Sequence, residues 1–437
     1  RSFRLGPARP PGAASPVLPA RRRDRGAPRR KQLKRMFASS EAQAVSETLR
    51  ILHSADLHLG WKLHFLGLLA EERQRERDGL LRRAVDFVLQ ERVADMVVIA
   101  GDLFETHTPP SGLVESVISD LQRLEAAGVP VVTVPGNHDE ITYADSVYRV
   151  HGGRWPGVLV QNPMPEHVGT ITVKGVPVHV YGLAYTGGLT RTRPPIAEFP
   201  RLDRDGVHLA VFHGSLDWDA GDRSLPLMSP ALAAAGYDYI ALGHIHRPGE
   251  KKVGPGLAVY PGMVEGKGFS DPGTGRFTIV VLRVGREGPR VRAEGAEVVH
   301  VAAGVRPVRT VEVDVTPLKD LDALEPSIRE AAGAAGESAA GPGPIVQVRL
   351  VGAAPGFIDV EALTARLAAG FYFLEIIDDT AAFDDAVIER LALEPTVRGE
   401  FVRRMRALMD DAEDEAAREL AARALRRGLA ALGGMAP

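Results

Sequence analysis

At 437 residues, with 45% apolar and 25% charged side chains, the chain has room for two or three domains and the make-up expected of a soluble globular protein. It has no cysteine, which excludes disulfides, thiolate metal sites and a cysteine nucleophile; it also has no run of 18 uncharged apolar residues, so no membrane-spanning helix is proposed. The net charge of −3 conceals an asymmetry: residues 1–35 hold 12 Lys/Arg against Asp24 alone, leaving 41 basic and 55 acidic residues in the rest, a net of −14. An acidic body carries no chain-wide footprint for nucleic acid, so such a role needs a local patch, a basic partner subunit or metals at the contact.

Residues 1–47 are rich in Pro, Gly, Ala and Arg, lack apolar periodicity and are expected to be a disordered basic tail. No apolar h-region is present, so this is no secretory signal. Upstream sequence ahead of a start at Met36, a tail that touches nucleic acid and an organelle transit peptide are the alternatives. From Thr48 one pattern repeats. Strand-like runs end in polar clusters: TLRILHS in ADLHLG, DMVVIA in GDLFE, VPVVTV in PGNHDE, VHLAVF in HGS, and YDYIAL in GHIHRP. Continuous apolar runs of this length suit strands buried on both faces.

Helical periods separate the early strands, with Leu81, Val85 and Val88 in residues 80–93 and Leu113, Val117, Leu121 and Leu124 in 113–124; Ser111 is the expected N-cap of the second. Strand and helix in alternation predict an α/β fold with a mostly parallel sheet and right-handed crossovers. Residues 158–183 are broken by Gly and Pro and predict antiparallel strands of a second sheet, with further strands to about residue 284. The domains expected are 48–285, a linker 286–307, a small α+β unit 308–384 containing a flexible GAAGESAAGPGP stretch, and a helical segment 385–437. In the last, Phe401, Met405, Leu408, Ala412, Ala416, Leu420, Leu425, Leu429 and Leu432 form one apolar stripe, which would dock on a coiled coil or on its own domain.

In open α/β sheets ligands bind beyond the carboxyl ends of the strands, so the five polar clusters would converge on one crevice. They bring Asp56, His58, Asp102, Asn137, His138, Asp139, His213, His244 and His246. Three carboxylates, five imidazoles and an amide are costly to bury together without a counter-charge. Two divalent cations resolve this, and mixed O/N donors suit Mn, Fe or Zn better than Mg or Ca. Residues i and i+2 of an extended segment share a side, so the pair Asp56 and His58, like His244 and His246, would feed one metal or straddle two. Asp102 is the natural bridging carboxylate, and paired cations would activate water for in-line attack on phosphorus. His138 would meet the substrate, with Asp139 bonded to it and fixing its tautomer. The remaining histidines are assigned to core, surface or support. The GWKLHFL loop, with Trp61, Lys62 and Phe65, is a candidate contact loop as well as a packing element.

DLH, GDLF, GNHDE, HGS and GHIH resemble the calcineurin-like metallophosphoesterase superfamily. HSADLHLG, GDLFETHTPPS, VPGNHDE, YIALGHIHRP and YPGMVEGKGF resemble its SbcD-type DNA repair exonucleases, including the bacterial branch related to SbcD. The resemblance covers residues 48–285. It implies a β-sandwich flanked by helices, a capping domain and two Mn²⁺ ions. One ion would lie at Asp56, His58, Asp102 and His246, the other at Asp102, Asn137, His213 and His244, with His138 and Asp139 catalytic. It also implies phosphodiester hydrolysis at DNA ends beside an SbcC-type coiled-coil ATPase, a homodimer and a cytoplasmic setting. Two other functions fit the same residues: a phosphoesterase acting on a small nucleotide or phosphoprotein, and a non-catalytic DNA-end binder.

Overall fold

The computed structural model describes residues 3–5, 47–187, 194–218, 224–287, 290–316, 318, 321–332, 343–352, 358–380 and 385–433. These fall into two compact units, one of residues 47–65 and 69–305 and the other of residues 3–5, 66–68 and 306–433. None of the described helices is long and apolar enough to cross a membrane.

The strands, in chain order, are β1 (Phe3–Leu5), β2 (Glu47–Ser54), β3 (Met96–Ala100), β4 (Val131–Val134), β5 (Val158–Leu159), β6 (Glu166–Val173), β7 (Val176–Gly182), β8 (Val207–His213), β9 (Ser215–Leu216), β10 (Pro226–Leu227), β11 (Tyr239–Gly243), β12 (Gly249–Val253), β13 (Gly256–Tyr260), β14 (Arg276–Glu287), β15 (Arg290–Ala302), β16 (Val308–Asp314), β17 (Ile345–Val351) and β18 (Phe373–Asp378). The larger unit holds two six-stranded sheets, in the orders β15-β14-β2-β3-β4-β5 and β12-β13-β11-β8-β7-β6. In the first, β2 to β5 run parallel and the β14–β15 hairpin joins antiparallel to β2. In the second, β7, β8, β11 and β13 are parallel, with β6 and β12 antiparallel at the edges.

Alternation along each strand builds three apolar layers. Leu49, Ile51, Met96, Val98, Val132, Leu209, Val211 and Ala241 fill the space between the sheets. Leu52, Val97 and Ile99 turn outward against the helices Leu80–Glu91 and Ser111–Ala126. On the far side, Phe212, Ile240 and Leu242 pack with Leu232 of the Ser229–Ala235 helix. The architecture is a β-sandwich flanked by helices.

Three expectations change. The polar clusters are expected at the end of one mostly parallel sheet, but those after β8 and β11 belong to the second sheet, so the crevice is a rim shared by two mixed sheets. Residues 286–307, expected to be a linker, contain β15, which pairs with β14 along its length; its alternation of Val with Arg and Glu marks a half-exposed edge strand. Ser111 is the first helical residue rather than the cap. Pro110 precedes it and accepts from Leu113 N and Val114 N.

In the second unit β16, β17 and β18 are parallel, with the Leu324–Ala331 and Val360–Leu367 helices as crossovers, and β1 lies antiparallel on the β18 edge. The expected order of elements is present, but the strands are parallel, so the unit is a small β/α sheet with one added antiparallel strand. Of the tail expected to be disordered, β1 and Glu47 are described, β1 pairing with β18; residues 6–46 and the 333–342 stretch lie outside the described residues. The C-terminal segment divides into three helices, Asp385–Ala392, Val397–Asp410 and Glu415–Gly433, and the stripe falls on the last two, with Ala412 in the turn between them. Leu391, Val402, Leu425 and Leu429 form their core, while Leu408 and Leu420 are exposed.

Candidate metal centre

Backbone bonds join the loops in pairs: Asp56 N donates to Gly101 O at 3.1 Å and His58 N to Asp102 O at 3.0 Å after β2 and β3, and Gly214 N donates to Gly243 O at 3.2 Å after β8 and β11. Asp56, His58, Asp102 and His244 all adopt positive φ, at 54°, 45°, 49° and 95°. Asp56 and His58 therefore do not lie on an extended segment, as their i, i+2 spacing suggests; a left-handed turn brings both inward. Such conformations are costly for non-glycine residues and persist where surrounding structure holds them, typically at functional sites. The adjoining glycines have a steric reason. A Cβ at Gly101 would collide with the His213 imidazole, and one at Gly136 with the Asp102 carboxylate.

Seven expected ligands meet here. Asp56, His58 and His246 bring donor atoms within 4.8 Å of one another, as do His58, Asp102 and His138, and Asp56, Asp102 and His213. Oδ2 of Asp102 stands between the two halves, 3.6 Å from His58 Nε2 and 3.4 Å from His213 Nε2. Its Oδ1 accepts from His138 N at 2.8 Å. Asn137 Oδ1 lies 2.9 Å from both His213 Nε2 and His244 Nδ1.

Proton placement tests whether cations fit. His246 Nδ1 is 2.6 Å from Asp271 Oδ2, and His58 Nδ1 is 2.9 Å from Glu105 Oε2. Asp271 accepts from His246 Nδ1 and so holds a proton there, and the charge of Glu105 beside His58 Nδ1 favours a proton on that nitrogen, which leaves each Nε2 to offer a lone pair; these two atoms face one another at 3.3 Å. His213 repeats the pattern. Its Nδ1 donates to Ala100 O at 2.9 Å, and its Nε2, 2.9 Å from the Asn137 oxygen, is the nitrogen turned into the centre. Inward-facing lone pairs on neutral imidazoles, with outward N–H groups fixed by carboxylates and carbonyls, are what a divalent cation requires. The residues fit it.

Charge points the same way. Burial raises Asp56 to about 6, with His213 opposing that shift. Burial also pushes Asp102 up, but the His213 and His58 imidazoles outweigh it and hold Asp102 well below the usual carboxylate range. Burial lowers His213, yet Asp102 more than offsets this and carries it to about 9. The centre calls for positive charge beside its carboxylates, and a cation supplies it without protonating a ligand.

Asp139 departs from expectation. It is buried, and it accepts from Gly136 N at 2.7 Å, Phe104 N at 3.1 Å and Tyr148 OH at 2.7 Å. Burial, then Asp102, raises it to about 6. The position expected of it belongs to Glu105, whose Oε1 and backbone oxygen each lie 3.2 Å from His138 Nδ1. Glu105 thus serves His58 with one oxygen and His138 with the other, and its hydrogen bond raises the His138 pKa. Burial favours protonated Glu105, but His138, His58 and Lys267 hold it well below its ordinary value. Asp271 and Arg77 also belong to the site without having been expected there. Arg77, fully buried, donates from Nε to His58 O at 3.2 Å and from Nη1 to Gly266 O at 2.9 Å. The available signals were a carboxylate three residues after Asp102 and an arginine on an otherwise polar helix.

Residues 49–248 match the calcineurin-like phosphoesterase family. Among curated proteins, the chain is 30% identical over 226 residues to the DNA double-strand break repair protein Mre11 of Methanopyrus kandleri, covering 50% of this chain and 49% of that one. It is 25% identical over 366 residues to the uncharacterized metallophosphoesterase YhaO of Bacillus subtilis, covering 80% and 83%. It is 26% identical over 276 residues to the SbcD component of the nuclease SbcCD of the same organism, covering 55% and 68%. The chain spans about half the length of the Mre11 proteins of Methanopyrus kandleri and Aeropyrum pernix. Residues 49–248 thus form a calcineurin-like metallophosphoesterase domain, and the chain is similar at modest identity to proteins named for DNA double-strand break repair and to a nuclease subunit.

Proposed function

We propose that the chain is a two-metal phosphodiesterase that hydrolyses DNA at its ends, as the nuclease subunit beside a coiled-coil ATPase of the SbcC type. The observation that carries this is the convergence of donor atoms, His58 Nε2 facing His246 Nε2 and Asn137 Oδ1 facing His213 and His244, around the shared Asp102 oxygen. Asp56, His58, Asp102 and His246 would hold one cation and Asp102, Asn137, His213 and His244 the other. Two divalent ions, manganese for this donor set, would supply Lewis-acid charge and an activated water for in-line attack on phosphorus. Glu105 keeps a proton on His138 Nδ1, so Nε2 is the nitrogen that protonates the leaving oxygen. Asp139 acts at one remove, pinning the backbone of Gly136 and Phe104 so that His138 and Asp102 keep their places.

DNA as substrate is supported by the names of the relatives and by the sequence motifs. A partner is supported by the SbcD relative, which is named as one component of a larger nuclease, and by charge, since an acidic body gains affinity for a polyanion from a second protein. The test is manganese-dependent digestion of linear duplex and single-stranded DNA by the full chain, alone and with the ATPase encoded nearest to it. His138→Ala is expected to lower turnover by about 10²–10⁴-fold with metal retained. Undiminished activity in that variant, or no nuclease activity even with the partner, would defeat the assignment.

A further inference from the structure

We propose that Phe269 and Phe65, with Trp61 bonded to the same turn, form a stacking platform for the terminal nucleobase of the DNA end held at the metal centre; this rests on the DNA-end function proposed above and deepens it. Gly268 and Asp271 exchange backbone hydrogen bonds at 3.3 and 3.2 Å, which puts Phe269 and Ser270 at the tip of a tight turn. Turn tips draw Gly, Asn, Asp and Ser for conformational reasons, and nothing in the backbone calls for an aromatic ring there. Yet Phe269 is half-buried, its ring 5.0 Å from that of Phe65, also half-buried, at a 43° tilt.

Both limbs of this turn are fastened to the centre. Lys267 Nζ lies 2.8 Å from Glu105 Oε2, and Asp271 accepts a hydrogen bond from His246 Nδ1. Arg77 ties the Gly266 carbonyl to that of His58. Trp61 Nε1 donates to Lys267 O at 3.3 Å, and the Lys267 ammonium sits 4.6 Å from the Trp61 ring centroid. The rings are therefore carried on the pieces of chain that hold His246, His58 and Glu105. A base stacked on them would be fixed relative to the phosphate being cut.

Stacking also suits this chain's charge. Outside its first 35 residues the net charge is −14, so phosphate contacts are a poor source of affinity. Every base has a π face, so stacking gives a grip that is independent of both charge and base identity.

The test compares the full chain with Phe269→Leu, which keeps apolar volume against Phe65 but removes the π face, and with Phe269→Trp and Phe65→Leu. Steady-state digestion is run in manganese, with the partner ATPase where turnover requires it. One linear DNA ends in ordinary nucleotides and the other in two abasic residues at each terminus. On ordinary ends Phe269→Leu and Phe65→Leu are expected to raise KM about tenfold or more, and Phe269→Trp to restore it; on abasic ends the gap between wild type and the leucine variants closes. A gap that persists on abasic ends means the rings only pack, and no gap on ordinary ends means they bind nothing; either overturns the platform while leaving the nuclease assignment intact. A wild-type chain that cuts neither DNA removes that assignment and the platform with it.

Discussion

At the rim of the two six-stranded sheets, Asp56, Asp102 and His213 are buried, two of the three at positive φ, and their polar atoms converge on one another. In the β/α unit beyond Arg306 polar groups behave conventionally. Asp359 and Thr396 cap helices through Ala362 N and Gly399 N, and Arg349 reaches Glu312 and Asp379 across the exposed sheet face. Exposed pairs of that kind contribute little, about 0–1 kcal/mol each, and they need no further ligand. The contrast separates two uses of the same side chains. Among the described residues, the polar groups of one unit find partners in its own sequence; those of the other crowd together in a way that an added positive charge would relieve.

The most severe break of that contrast is Asp102→Asn. Because one oxygen stands between His58 and His213, loss of its charge should weaken both cations together and lower turnover by more than about 10³-fold. Calorimetric titration with manganese checks it, and a variant that keeps one site at full affinity shows that Asp102 is not shared. Next in size is Glu105→Gln. It removes the anion serving both His58 and His138, and is expected to reduce kcat by about 10–100-fold while the bound-manganese count is unchanged.

Chelation sharpens the comparison without mutation. A ligand at a hundred times its Kd stabilises by about 2.7 kcal/mol, so stripping metal should speed amide exchange around residues 54–60, 100–105 and 136–140. Amides of β17 should not change, and equal acceleration there would dissolve the distinction. Smaller effects belong to each unit separately. His208, buried with Tyr181 OH on Nδ1 and the Arg204 carbonyl on Nε2, is lowered by burial to about 4. Its folded pKa lies below the unfolded 6.5, so its contribution is complete above pH 6.5 and is lost as pH falls from there toward 4. His208→Gln should flatten the fall in Tm between pH 7 and 5, by about 1 kcal/mol after allowance for solvent screening. Asp359→Ala should cost about 1 kcal/mol in the second unit and leave manganese affinity untouched, which denaturant unfolding and titration would show together.

The convergence of these side chains was legible because each follows a strand, and strands announce themselves as apolar runs. The same rule found β8 and β11 but could not say which sheet they join, since sheet membership depends on pairings between residues far apart in sequence, such as Tyr239 with Leu209. β15 was missed because an edge strand alternating Val with Arg and Glu reads like a solvated linker. Glu105 was missed for a different reason. The sequence places Asp139 directly beside His138, but a tight turn sends the Asp139 carboxylate back to the Gly136 amide and leaves the imidazole to a residue 33 positions away. Neighbours in the chain are often not neighbours in the site.

One pairing has a consequence during synthesis. β2 delivers Asp56 and His58, and one of its two edges is covered by β14, whose Thr278 lies opposite His53. Until the ribosome has passed the β14–β15 hairpin, the strand that launches the first ligands offers a bare flank to any passing β-strand. A nascent or prematurely terminated chain ending before residue 276 therefore lacks the cover that protects its own first strand, and chaperone capture or edge-to-edge clumping should be the fate of such fragments.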